Sequence, residues 1–517
     1  VLPVVLLAAV GAVAAAAALY QISFFLRIPA DILSFAESPF VTDIIKFREG
    51  APLYLPAGDN NSYPYNPGAQ ILTYLIASAF GAGTSIPGLR VVQFGYVILA
   101  SVLAVAATVR LADLVHGGGR PLRPFWAVAW WPLLFLVCLD PEFNKYVHSL
   151  HNDGLALLVS VFGFWLAVRH ASGPRTWHLL VMAVLPALGF LVKQNQAMWL
   201  GLFAIYLVVD GRTPWRRIVG VTAASVALVG AAFAAEYVLW GEPFLFWTIN
   251  ALGDKQVSVL RSVRHLVLAG GYAAMGLAAA LAFFRSGYSR TVLALWVVWA
   301  TMFGIQAYTS GLGFAANHLG PGVVVATAWF LVWVLHVWPT AGAGPMRGLL
   351  HQLAACAAVF LVFGALRVIR EPISGVPAQT ARFISEIEQE FEGMDPRSVL
   401  LDNGSWVYLR DGVIMKDRSA PVSLHVGINQ PEINRQALEE TISRIDARVY
   451  RRLLVRMLDT PRTDYDFQDR GSGVKDAMLE NYQVVRRIQG VDVGAWWPKG
   501  MLGEILVLEP RPAVDAP

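Results

Sequence analysis

Residues 24–67 read FFLRIPADILSFAESPFVTDIIKFREGAPLYLPAGDNNSYPYNP. They follow one almost wholly apolar run and precede all the others. Glu37, Asp43 and Glu49 stand among aromatics and prolines beside that first run. Acids and aromatics next to an apolar segment of membrane length put this loop at a bilayer surface. The rest of the chain then reads as a scaffold that holds the loop there. A carboxylate so placed can serve as a general base toward a molecule arriving from lipid. Periodicity alone does not separate Glu37, Asp43 and Asp31 as that base. Glu37 also fits as the capping partner of a short helix at Ser38 and Pro39.

The composition agrees. Of 517 residues, 56% are hydrophobic and only 15% are charged, where soluble globular chains carry roughly 25%. Mean hydropathy is +0.52. The basic pI near 9.0 argues weakly for nucleic acid, because the basic residues sit in short loops between apolar runs. No nucleic-acid partner is expected. Both cysteines, Cys138 and Cys356, lie in apolar segments, which leaves neither a disulfide framework nor a cysteine zinc site. Residues 1–20 run straight into the loop without a small-residue cleavage signal, and read as a retained first helix.

Windows of roughly 20 apolar residues predict about eleven spans: 3–23, 88–109, 124–139, 151–168, 177–192, 196–209, 217–239, 264–284, 290–307, 318–338 and 348–368. A further apolar helix near 68–80 reads as interfacial. One set of loops carries Arg110, Arg120, Arg123, Arg169, Arg175, Arg212, Arg216, Arg217, Arg285, Arg290 and Arg347. The alternate loops carry Glu37, Asp43, Glu49, Asp59, Asp140, Glu142, Glu242 and Asp254. The positive-inside rule makes the arginine loops cytoplasmic, so the acidic loops and the C-terminal region face outward. The expected fold is a polytopic α-helical membrane protein of about 11 transmembrane helices over 1–370, followed by a small soluble α/β domain over 371–517. In that domain PAQTARFISEIEQEFEG, PEINRQALEETISRIDAR and KDAMLENY read as helices. SVLLDNG, SWVYLRDG, YRRLLVRML and EILVLEP read as strands of a mixed or parallel sheet. It reads as a lid or an acceptor-docking module.

Other polar groups gather at the outward loops. FNKYVHSLHNDG, residues 143–154, offers His148, His151 and Asp153 as ligands for a divalent metal. The same residues suit capping of the fourth span, or binding of phosphate or sugar hydroxyls. Lys193, in the tight turn LVKQNQ, reaches either the interface or an anion. Lys255, Arg261 and Arg264, with His265, put positive charge in an outward loop, against the topology bias, and invite an anionic ligand. His318 begins a late span at the same face.

Three passages together resemble the GT-C superfamily of membrane glycosyltransferases. The first is Glu37 followed by Gly50–Ala51–Pro52–Leu53–Tyr54 and then Tyr65–Asn66–Pro67. The second is His151–Asn152–Asp153 at the start of a span. The third is the Lys193 turn with the later Asn317–His318–Leu319–Gly320–Pro321. An outward C-terminal domain is similar to that of bacterial family 39-like members. Many members carry adjacent Asp–Glu in the first loop, where this chain has Glu37–Ser38. The spacing to Gly50 favours Glu37 over Asp43. The resemblance implies a polyprenyl-phosphate-linked sugar as donor, an envelope lipid, glycan or protein as acceptor, and inversion at the anomeric carbon. It implies Glu37 or Asp43 as base, with Tyr54, Tyr65, His151, Asp153, Lys193, Lys255, Arg261, Arg264 and His318 around the substrate. The bacterial inner membrane is the expected location. A lipid-linked sugar flippase would use the same cavity without a base.

Overall fold

The structure, a computed structural model, describes residues 2–34, 37–56, 62–115, 124–147, 149–250, 257–285, 289–312, 316–340, 376–402, 404–414, 431–456, 473–491 and 503–512. The chain opens with α1 (Leu2–Arg27) and the short buried helix α2 (Glu37–Arg48). α3 (Gly68–Ala79), α4 (Ile86–Val115), α5 (Pro124–Cys138), α6 (Asn152–Ser172) and α7 (Thr176–Val192) follow. After a 3-10 turn come α8 (Trp199–Asp210), α9 (Trp215–Leu245), α10 (Val259–Leu268), α11 (Gly270–Arg285), α12 (Arg290–Thr309) and α13 (Gly320–Thr340).

The protein is a multi-pass membrane protein. Among the described residues, Ile86–Val115, Asn152–Ser172, Trp215–Asn250 and Arg290–Leu312 are long and apolar enough to cross a bilayer. α10 and α11 would make a fifth crossing, but they meet at a bend of 68°. The span expected over 264–284 is therefore broken near Ala269 and Gly270. The span expected over 348–368 lies outside the described residues. The apolar window of α9 is only 11% buried within the molecule, so this helix turns most of its surface to lipid. Gly241 interrupts α9 at φ +61°, a backbone conformation that glycine adopts without strain.

Beyond residue 375 the described elements are α14 (Val376–Gln389), β1 (Val399–Leu401), α15 (Trp406–Asp411), α16 (Pro431–Asp446), β2 (Arg452–Arg456), α17 (Val474–Asn481), β3 (Tyr482–Ile488) and β4 (Ile505–Pro510). The sheet order is β1-β2-β4-β3, with β1 and β2 parallel and the other pairs antiparallel. The sheet is thus mixed. The sequence SWVYLRDG, expected as a strand, contains helix α15 instead. Asp31, from the first loop, accepts from the Ser405 and Trp406 N–H groups at 2.9 Å, and Gly412 ends the helix at φ +67°. The last strand but one, YQVVRRI, was not expected. Most of its side chains are exposed, so it lacks the alternation that marks a half-buried strand.

Candidate functional site

His151 caps α6. Its Nδ1 accepts the Asp153 backbone N–H at 3.1 Å. Asp153 therefore sits in the first helical turn, where the helix dipole favours an anion. Lys193 caps the far end of α7, its N–H donating to the Gly189 carbonyl. Its Nζ donates to Asp153 Oδ1 at 2.6 Å, and Asn317 Nδ2 donates to Asp153 Oδ2 at 2.6 Å. Burial alone would lower the Lys193 ammonium. The adjacent Asp153 carboxylate outweighs that and holds it above the usual lysine value, so Lys193 is a cation.

Aromatic rings wall this cluster. Lys193 Nζ stands 5.1 Å from the centre of the Tyr65 ring, a cation–π distance. The Tyr146 ring lies 4.9 Å from His151, and the Tyr65 ring 6.1 Å. Tyr54 OH donates to the Tyr65 carbonyl at 2.8 Å, while its ring packs edge-on against Trp240 and Phe244. Gln194 Nε2 donates to the Pro64 carbonyl at 3.2 Å. The loop comes this near α7 because residue 68 is glycine: a Cβ there would lie 2.4 Å from the Leu191 carbonyl oxygen.

A buried amide network lies behind the cluster. Asn152 Nδ2 donates to the carbonyls of Asn66 and Val192 and to Gln70 Oε1. Gln70 Nε2 donates to Asp43 Oδ2 at 3.2 Å. Asn66 Nδ2 donates to Glu236 Oε2 at 3.0 Å and to the Phe190 carbonyl at 2.8 Å. Asp43 and Glu236 thus terminate one chain of amides that passes behind Asp153. The Asn66 and Asn152 Oδ1 atoms have no partner in this buried network.

Glu37 is fully engaged. Arg90 Nε and Nη2 donate to its two oxygens at 2.8 and 2.7 Å. The Leu33 and Leu150 N–H groups add bonds of 2.8 and 3.0 Å. Both charged side chains are 0% exposed, whereas Lys193 and Asp153 are 6% and 12% exposed. The Asp153–Lys193 pair is therefore slightly exposed and the Glu37–Arg90 pair is not. Arg90 also donates to the carbonyls of Phe25, Ile28 and Ala30, which ties the end of α1, the loop and α4 together.

The structure brings Tyr54, Tyr65, His151, Asp153 and Lys193 together. His318 lies in the 3-10 turn Ala316–Leu319 beside Asn317. Arg261 and Arg264 lie on α10, with Arg264 exposed. That helix joins the turn before Asn317 through Ser258 N to the Gly311 carbonyl at 3.2 Å. Lys255 and His148 lie outside the described residues. Among the described residues no group of three or more His, Cys, Asp or Glu is placed to hold a metal. His151, offered as a possible metal ligand, uses its Nδ1 for the helix cap. Sequence reading missed Arg90, Gln70, Tyr146 and Glu236, and quoted Asn317 only as part of a motif. Arg90 and Glu236 did leave a signal, as lone charges inside apolar runs.

No protein-family model matches the chain, and no curated protein matches it. Among the solved structures similar to it are ArnT from Cupriavidus metallidurans bound to undecaprenyl phosphate, and the same protein in its apo state. The first is 14% identical with a TM-score of 0.56, covering 99% of each chain. The second is 15% identical with a TM-score of 0.47, over 84% of this chain and 78% of that one. At this identity the first likeness is one of fold, and it spans nearly the whole chain: this protein shares the fold of that ArnT structure.

Proposed function

We propose that the protein moves a sugar from a polyprenyl-phosphate donor to an envelope acceptor at the outer face of the bacterial inner membrane. The observation that carries this is the largely buried Lys193–Asp153–Asn317 cluster, walled by Tyr65 and Tyr146, on the fold of a protein solved with undecaprenyl phosphate. Lys193 is the cation for the donor phosphate. Asp153 and Asn317 orient it and offer acceptor and donor atoms to sugar hydroxyls. The rings of Tyr65 and Tyr146 give the sugar an apolar face to lie on.

In the reaction, the oxygen of an acceptor hydroxyl attacks the anomeric carbon. The bond from that carbon to the phosphate oxygen breaks, and polyprenyl phosphate departs with the electron pair. Lys193 stabilises the growing negative charge. A single displacement inverts the anomeric carbon. Asp43 is the base that takes the hydroxyl proton. It belongs to the amide network adjoining Asp153, and it sits on the short loop helix that follows the first span. Glu37 holds the scaffold. The C-terminal region faces outward with the cluster.

The test uses purified protein in lipid, a panel of labelled polyprenyl-phosphate sugars and crude envelope acceptors. Acceptor-dependent release of polyprenyl phosphate is expected for the wild type. Asp43→Asn should reduce that release by about two orders of magnitude, as loss of a general base does. Full release by Asp43→Asn would remove it as base. Movement of labelled lipid between leaflets without release would point to a flippase.

A further inference from the structure

Asp31, Ser38, Thr42 and Ser405 form a buried polar junction that the proposed reaction does not use. Asp31 is fully buried, and both of its oxygens lie 2.9 Å from the Ser405 N–H nitrogen. Oδ1 also accepts the Trp406 N–H at 2.9 Å. The Ser405 hydroxyl donates to the Ser38 carbonyl at 3.1 Å. It lies 2.7 Å from the Ser38 hydroxyl and 3.0 Å from that of Thr42, within hydrogen-bond distance of both. At the other end of α2, Arg48 Nη1 donates to the Leu409 carbonyl at 3.0 Å. A loop acid and both ends of α2 are thus held by one short segment, residues 405–409, more than 360 positions away in sequence.

Ser38 and Thr42 are four residues apart and share one face of α2. Asp43 follows Thr42 directly, so the rotation and depth of α2 set where its carboxylate points. Residues Glu37 to Lys46 of this helix are all buried. Ser405 is the one side chain from the C-terminal region that bonds to both Ser38 and Thr42 among the described contacts.

We infer that Ser405 is a positioning residue for the transfer reaction: through Ser38 and Thr42 it fixes α2, and through α2 it aims the Asp43 carboxylate. The C-terminal region is then part of the catalytic scaffold and not only a docking module. This rests on the reading of Asp43 as base. Lys193 and Asp153 lie on other elements, so donor binding is independent of the junction.

The experiment compares Ser405→Ala, Ser405→Thr and Asp43→Asn in the whole protein in lipid. A small displacement of a reacting group lowers turnover steeply, so Ser405→Ala should cut kcat by about tenfold or more. The donor KM should stay at the wild-type value. Ser405→Thr keeps the hydroxyl and should restore most of kcat, a rescue that general loss of folding would not give. If Ser405→Ala does not accumulate as folded protein, Thr42→Val removes one of the three hydroxyl contacts at nearly constant volume. It should show a smaller fall of the same kind. Wild-type kcat in a folded Ser405→Ala or in Thr42→Val, with Asp43→Asn inactive, overturns the positioning role and leaves the base in place. Full activity of Asp43→Asn overturns the base reading itself. An equal fall of kcat in Ser405→Thr and Ser405→Ala also overturns the role, because the hydroxyl would then be irrelevant.

Discussion

At the scale of single residues, the two first-loop acids Glu37 and Asp31 are both buried but are balanced in different ways. Glu37 faces a guanidinium through two parallel bonds, so its charge is matched. Glu37→Gln would place an amide NH2 against Arg90 and leave that cation uncompensated. Breaking a buried pair in this way costs about 3–5 kcal/mol. The expected outcome is a large fall in the thermal midpoint in detergent. A folded Glu37→Gln with an unchanged midpoint would show that Arg90 finds another partner. Among the described contacts, Asp31 accepts only from backbone N–H groups. Burial pushes it up to about 6, with the Ser405 N–H opposing the shift. The folded state therefore holds the proton more tightly than an ordinary aspartate, which titrates at 3.8. Between those two values the folded protein binds more protons than the unfolded chain, so this group's contribution to stability falls as pH rises through that window. Thermal midpoints of wild type and Asp31→Asn across pH 4 to 8 test this. The wild-type midpoint minus the variant's should decline to about pH 6 and then level off. A flat difference would mean that Asp31 titrates as an ordinary aspartate.

At the scale of elements, legibility followed how locally each feature is determined. α1, α4, α6, α7 and α9 coincide with long apolar runs, and such runs dictate helix in lipid. Tyr65, His151, Asp153 and Lys193 were visible because each interrupts or borders an apolar run. That they meet at one mouth is a tertiary fact, set by the approach of Gly68 to α7. The Glu37–Arg90 pair was not legible, since its members lie 53 residues apart and only the acid sits in a polar context. α15 was misread because short apolar runs have the same letters in helix and strand. What decides it is Asp31, which supplies the partner for its first N–H groups from the far end of the chain. The glycine at 68 gives a test at this scale. Gly68→Ala drives a methyl into the Leu191 carbonyl, a strain of about 1–3 kcal/mol. The loop must move away from Lys193, so the donor KM should rise several-fold while Asp43 still works. An unchanged donor KM would detach the Tyr65 loop from donor binding.

At the scale of the whole molecule, the helices separate two kinds of polar end. At one end of α8 lie Lys193 and the aromatic loop. At the other, Arg212 and Thr291 bond to Asp210, and Arg290 donates to the Val209 carbonyl. If the arginine end is cytoplasmic, a cysteine at Arg217 reacts with a membrane-impermeant thiol reagent only from inside. One at Lys145 reacts only from outside. Both would be made in a Cys138→Ser, Cys356→Ser background and read by labelling intact cells against opened vesicles. Reversed labelling would invert the orientation and move the mouth to the cytoplasmic face.

The Ser405 junction also has a consequence in time. Ser38 and Ser405 are 367 residues apart, and chains grow at about 5–20 residues per second. Roughly 20 to 70 seconds therefore pass between synthesis of the first hydroxyl and arrival of its partner. Through that interval α2 is already made, and its helical neighbours are entering the bilayer. The segment that fastens it is delivered only after the apolar runs of residues 1–340. A segment made late relative to α2 thus completes that helix, and α2 reaches its final setting only once residues 405–409 have emerged.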